Sequence, residues 1–148
     1  MFRGRFEHTI DPKGRVSIPA KFRELLGEKY DDRLIITTDL DDPCLVAFPY
    51  EEWIGIEEKV SPMSMVKKEV KAFQRLFISA ATECPIDKLG RVLIPPTLRS
   101  HAQLEKDVVF VGLLKKFEIW NKERLFEMIQ KAGEHSKEMG ETLASLGL

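Results

Sequence analysis

Arg15 and Arg91 are the side chains of this sequence best suited to directed chemistry, and that chemistry is anion recognition. A guanidinium can set two parallel hydrogen bonds on O6 and N7 of a guanine, and lysines or arginines beside it can neutralise phosphates. Lys13, Arg3 and Arg5 are the basic neighbours of Arg15 along the chain. Each of the two arginines stands four residues after an aspartate, Asp11 or Asp87, with Gly14 or Gly90 just before it. That spacing has a second, local reading, in which the aspartate caps a turn and forms an ion pair with the arginine.

Catalysis has less support. The chain lacks a glycine-rich phosphate loop followed by Lys-Ser or Lys-Thr, a Gly-x-Ser-x-Gly elbow and a His-Glu-x-x-His pair, so it is not expected to be an enzyme. Cys44 and Cys84 are separated by 39 intervening residues, with no Cys or His at metal-ligand spacing. Buried free thiols are expected, with a metal or disulfide role as the alternative, and no cofactor is implied. His8 has no second ligand or nucleophile nearby and reads as a partly buried structural histidine. Arg23 and Arg99 each follow a proline by four positions; an ion pair with a local acid and a DNA contact suit them equally well.

The elements that must position these residues come from a duplication. Asp11-Pro12-Lys13-Gly14-Arg15-Val16-Ser17-Ile18-Pro19-Ala20-Lys21-Phe22-Arg23 recurs at residues 87–99 with seven of thirteen positions identical at an offset of 76. Asp, Pro and Gly at the first, second and fourth positions suit a type I turn. Val16 and Ile18 then alternate with Arg15 and Ser17, so a short strand sends the aliphatic pair inward and the arginine outward. Pro19 suits a first helical position, Phe22, Leu25 and Leu26 follow at helical spacing, and Gly27 stands where a C-terminal cap belongs. Before the turn, Phe2, Gly4, Phe6, His8 and Ile10 share one strand face, and Arg3, Arg5, Glu7 and Thr9 share the other. This strand is expected to pair across the Asp11 turn with residues 15–18. At the same offset Arg3 becomes Ser79, Arg5 becomes Ala81 and Lys13 becomes Leu89. The first copy is therefore expected to supply most of the binding energy, with Arg91 assisting.

The duplication extends beyond the motif. Strands at 34–38 and 45–48 flank an aspartate-rich turn, and a helix opens at Pro49 with Trp53, Ile56 and Val60 on one face. The same order returns as strands 108–114 and 117–120 and a helix from Asn121, with the offset drifting to about 72. Between the halves, Val66, Val70, Phe73 and Phe77 predict an amphipathic helix over 65–77, whose Lys67, Lys68, Lys71 and Arg75 face is either solvated or set against phosphates. From Gly133 the chain is polar with glycine breakers, which predicts a frayed tail or a segment packed on a neighbouring subunit. The expected organisation is a first repeat over 1–60, a connecting helix over 61–77, a second repeat over 78–130 and a C-terminal helical tail over 131–148. Two halves this small gain most by sharing one core.

The net charge is only −1 over 148 residues, but its distribution is uneven. Residues 1–23 carry six basic groups against two acids, and residues 24–63 carry three against eleven. A bound polyanion would be oriented as well as attracted. No apolar run approaches the length of a membrane span, and the N-terminus lacks the apolar stretch of a signal peptide, so a cytoplasmic protein is expected.

The Asp-x-x-Gly-Arg-Val-x-Ile-Pro core resembles the signature of AbrB-like swapped-hairpin DNA-binding domains. Two copies, opened by Met1-Phe2-Arg3-Gly4 and with Ala80-Ala81-Thr82-Glu83-Cys84 before the second, are similar to the bacterial MraZ family over nearly the whole chain. The resemblance implies a mainly β, α+β fold in which two tandem AbrB-like units share one pseudo-symmetric β-barrel core, with connecting and C-terminal helices. It further implies a nucleoid-associated transcriptional repressor of its own operon and of the division and cell-wall gene cluster. The partner would be double-stranded DNA carrying short direct repeats, engaged by a homo-oligomeric ring, with Arg15 and less directly Arg91 in contact. An antitoxin-like DNA-binding module that neutralises a protein partner is one alternative, and a structural oligomer without DNA binding is another.

Overall fold

The two copies of the repeat exchange strands. A computed structural model describes residues 1–148, in chain order β1 (Arg5–Thr9), β2 (Arg15–Ser17), α1 (Ala20–Lys29), β3 (Arg33–Thr38), β4 (Leu45–Pro49), α2 (Tyr50–Val60), α3 (Lys68–Phe73) running into a π-helical turn (Gln74–Ile78), β5 (Thr82–Pro85), β6 (Arg91–Leu93), α4 (Pro96–Ala102), β7 (Asp107–Leu113), β8 (Lys116–Asn121), α5 (Lys122–Glu134) and α6 (Ser136–Ser145). β1 does not pair with β2, contrary to the sequence expectation. It lies antiparallel to β7 of the second half, with His8 opposite Val108, while β5 of the second half lies antiparallel to β3, with Cys84 opposite Leu34. β2 pairs with β6, placing Val16 against Val92. Each three-residue strand is too short to hold a hairpin of its own, and the facing copy offers the equivalent strand as a partner. The result is an α+β fold, with a six-stranded sheet ordered β1-β7-β8-β4-β3-β5 and a two-stranded ribbon of β2 and β6.

The order is palindromic in the two halves, and the register bears out the drifting offset. His8 and Cys84 are equivalent at 76, Leu34 and Val108 at 74, and Pro49 and Asn121 at 72. The main core draws on both copies: Val16, Ile18, Val92 and Ile94 from the ribbon side meet Leu34, Ile36, Phe110 and Phe117 from the sheet. Phe2, Phe6 and Phe22 join Phe117 at ring centroid distances of 5.0–5.3 Å. Central strands are buried on both faces. Ile35, Val46 and Phe48 turn outward against Trp53 of α2 and Phe77, and Val109 and Trp120 turn outward against Leu125 of α5. Trp53, Ile56 and Val60 thus face the protein as their spacing predicts.

Other local expectations shift. Gly27 is no cap, since α1 runs on to Lys29 and the Tyr30 amide donates to Leu26 O. Pro19 is the residue before the first helical position, with ψ 137°. The connecting helix starts at Lys68, not Met65, and leaves Val66 87% exposed because nothing packs over it. Its last turn widens to the π form, with the Ser79 amide donating to Gln74 O. The Thr37 hydroxyl donates to Phe77 O and the Thr38 hydroxyl to Leu76 O, which draws those carbonyls toward β3 and aims Phe77 at Trp53. Lys67, Lys68, Lys71 and Arg75 stand in solvent. The tail is not frayed but forms α6, none of whose residues is buried. No helix is long and apolar enough to cross a membrane.

Candidate nucleic-acid interface

The turn before β2 is built by its aspartate. Asp11 O accepts from the Gly14 amide at 2.9 Å, Oδ1 accepts from the Lys13 and Arg15 amides at 2.9 Å each, and Oδ2 accepts from Arg15 Nε at 2.8 Å. The second copy repeats this with Asp87, the Leu89 and Arg91 amides, and Arg91 Nε at 3.1 Å. The Arg15 amide, helped by the guanidinium, holds the Asp11 carboxyl below the usual aspartate range, and the Arg91 amide does the same for Asp87. Turn capping and presentation of the arginine are therefore one device. Nε is tied down, while the terminal nitrogens of both guanidinia bond to nothing in the protein. Side-chain exposures of 37% for Arg15 and 33% for Arg91 leave those ends accessible.

Because Val16 and Val92 turn inward, the outward face of the ribbon carries Arg15, Ser17, Arg91 and Leu93. Arg15 lies opposite Leu93 and Ser17 opposite Arg91, so the two arginines are diagonal neighbours, roughly 8 Å apart along the backbone. Lys13 stands exposed at the tip beside Arg15. The tip beside Arg91 carries Lys88, in the place of Pro12, so the second copy is less depleted of charge than the Lys13 to Leu89 exchange implies. Lys88 was legible in the alignment of the copies.

Two further cations arrive by the strand exchange. Ile94 N donates to Gly14 O, and Ile18 N donates to Gly90 O, which brings each copy's helix against the other copy's turn. Arg99 Nε donates to Ile94 O at 3.0 Å with its guanidinium over Gly14, and Arg23 Nε donates to Ile18 O at 3.1 Å with its guanidinium over Gly90. Neither lies within ion-pair distance of a carboxylate, so the local-acid reading of these two does not hold. One end of the ribbon thus gathers Lys13, Arg15 and Arg99, and the other Lys88, Arg91 and Arg23. Arg3 and Arg5 lie instead along the edge of the six-stranded sheet, Arg3 with its backbone against Gly112 beside the Phe2–Leu114 bridge. Arg5 is opposite Val111 and Glu7 opposite Val109 on the sheet face packed by α5, where Lys122 Nζ meets Glu7 Oε2 at 3.0 Å.

Cys44 and Cys84 are both buried and unpaired. Burial pushes both thiols up, Cys84 to about 11. Asp39, Cys44 and Glu118 each place one donor atom within 4.8 Å of the others. Asp39 Oδ2 is already taken by the Asp41 and Asp42 amides, and Glu118 Oε1 by Trp120 Nε1 at 2.9 Å. Burial, with Asp39 and Asp42 nearby, also raises the Glu118 carboxyl toward its neutral form. Asp39 and Cys44 flank the β3–β4 turn, and Glu118 meets them from β8. His8 is half-buried with its edge on Phe110, centroids 5.4 Å apart; burial and the nearby Arg23 lower its pKa.

The model of the family described as "MraZ protein, putative antitoxin-like" matches residues 1–76 and again 77–145. The chain belongs to the MraZ family. Proteins named transcriptional regulator MraZ align end to end with it, covering 100% of both chains: 47% identical in Thermoanaerobacter sp. strain X514, 46% in Caldanaerobacter subterraneus subsp. tengcongensis and 43% in Ligilactobacillus salivarius. The solution structure of PHS018 from Pyrococcus horikoshii covers 80% of this chain and 88% of its own at 16% identity and a TM-score of 0.35, a likeness too loose to build on. The two MraZ matches meet inside the π turn that separates the strands of the first copy from those of the second.

Proposed function

We propose that the protein is a sequence-specific DNA-binding transcriptional regulator that acts through the β2–β6 ribbon. The observation that carries the reading is the diagonal pair Arg15 and Arg91, each fixed at Nε by its own aspartate and open at its terminal nitrogens. A ribbon two strands wide fits the major groove, where such guanidinia reach guanine edges. Lys13, Lys88, Arg23 and Arg99 flank the pair as cations for phosphates, and Arg3 and Arg5 add to the field at the sheet edge. The names of the full-length relatives agree with this reading.

Repression of its own operon and of the division and cell-wall cluster, on direct repeats, completes the proposal. A single subunit offers few phosphate contacts and would bind weakly, and a ring of copies multiplies them. Exposed Phe126 on α5 and Met139, Leu143 and Leu146 on and after α6 offer apolar surface for such an assembly. The protein would then work on the nucleoid, in the cytoplasm. An antitoxin-like role is less favoured because the second half is occupied as the strand partner of the first.

A gel shift with the DNA upstream of the protein's own gene tests the reading. Arg15→Ala should abolish the shift without unfolding the protein, Arg91→Ala should weaken it less, and affinity should fall steeply with salt. Retention of binding in both variants would sink the assignment.

A further inference from the structure

Leu93 is exposed where the fold gives it no task. Its side chain points away from the core on β6, directly opposite Arg15, and 56% of the residue is open to solvent. The position equivalent to Leu93 in the first copy is Ser17, opposite Arg91, so the same place in the ribbon is filled equally well by a small polar residue. Val16 and Val92, paired with each other at the middle of the ribbon, do the inward packing. The leucine therefore breaks the internal symmetry on the outward face alone.

We propose that Leu93 is a specificity-determining residue that packs on the 5-methyl group of a thymine next to the guanine read by Arg15. The inference rests on the DNA-binding reading above. Leu93 is ringed by cations, namely Arg15 across the ribbon, Lys13 at the adjoining tip and Arg99 over Gly14, which makes a polyanion the complementary partner. The thymine methyl is the apolar group that a base pair presents in the major groove. Residues directly opposite in an antiparallel pair have Cβ atoms about 5 Å apart, comparable to the roughly 3.4 Å rise between stacked base pairs. The longer arginine reaches the guanine edge, and the shorter leucine meets a methyl that projects from a neighbouring pair. At the other end Arg91 has Ser17 beside it, whose hydroxyl can meet a donor or an acceptor. The two ends thus read different base steps, and the bound sequence is not a palindrome despite the two-fold arrangement of the strands.

The test starts from the shortest duplex that the intact protein selects from a random library. Each thymine in it is replaced in turn by uracil, which removes only the methyl, and affinities are measured for the wild type, Leu93→Ala, Leu93→Ser, Arg15→Ala and Arg91→Ala. Wild-type binding should fall about fourfold at one thymine beside a guanine, the effect of exposing one buried methyl-sized group. Leu93→Ala and Leu93→Ser should bind the thymine and uracil duplexes equally, near the level of wild type on uracil. Equal wild-type affinity for every uracil duplex, or a selected sequence with no thymine next to a guanine, overturns the proposal. So does a change of oligomer size in Leu93→Ser, which would place the leucine between subunits. The uracil series uses the unaltered protein and stands even where a variant misfolds. Wild-type-like binding by Arg15→Ala and by Arg91→Ala alike would instead sink the regulator reading itself.

Discussion

Arg99 of the second copy lies across Gly14 of the first so closely that a Cβ on the glycine would stand 2.7 Å from the guanidinium carbon. Arg23 makes the reciprocal approach to Gly90. Gly14 and Gly90 also hold φ at +91° and +78°, a backbone region that side chains resist. Conformation thus demands glycine at both turns, and the arginine laid over each one comes from the opposite half of the chain.

Gly14→Ala and Gly90→Ala should each destabilise the fold by about 1–3 kcal/mol in urea unfolding. Gly27→Ala should do the opposite and stabilise it by about 0.5–1 kcal/mol, because Gly27 lies within α1 with nothing within 4 Å of its missing Cβ. Equal effects at all three sites would contradict the contacts described here.

Acid should loosen the ribbon ends. Asp11 and Asp87 have pKa values below their ordinary ones, so the folded protein resists protonating them while the unfolded chain does not. Their stabilisation is complete above the ordinary aspartate value of about 3.9 and is lost as pH falls through the lower folded values. Asp11→Asn combined with Asp87→Asn should flatten that part of the acid unfolding curve, as followed by circular dichroism.

The thiols should be inert. With Cys44 and Cys84 buried and their ionisation pushed upward, iodoacetamide at neutral pH should label neither in the native protein and both in concentrated urea. Mass spectrometry of the intact chain distinguishes the two states.

Glu118→Gln should raise the melting temperature by a few degrees at neutral pH. The Glu118 pKa is raised mainly by burial, so the folded state disfavours the carboxylate that the unfolded chain carries freely. Glutamine keeps an acceptor for Trp120 Nε1 and removes the charge next to Asp39. The gain should vanish below the ordinary glutamate range, where both states are protonated, and a constant gain across pH would mean another cause.

What could be read from the chain was what its own neighbours decide. Asp11 caps the turn it begins, Val16 and Ile18 turn inward as their alternation requires, and Asn121 opens α5 by accepting from the Glu123 and Arg124 amides. What could not be read was set by distant partners. Alternation in residues 2–10 identifies the buried face of β1 but not β7 as its mate, and a mate on the far side moves Arg5 away from Arg15. The π turn likewise depends on hydroxyls of Thr37 and Thr38, some 40 residues earlier. Arg23 and Arg99 looked interchangeable with ordinary helix arginines until the exchange of strands set each one on the other copy's glycine.

The mating of β1 with β7 sets a timetable for the newborn chain. Residues 5–9 leave the ribosome about 100 residues ahead of their partner, which at ordinary elongation rates is roughly 5–20 seconds. Through that interval the first half has neither a neighbour for its leading edge nor a lid for its apolar interior. Made alone, residues 1–77 should sediment as an open coil or as a pair of molecules lending each other what the missing half supplies, and never as a folded monomer. A prematurely terminated message would therefore yield no regulator that folds as a single chain.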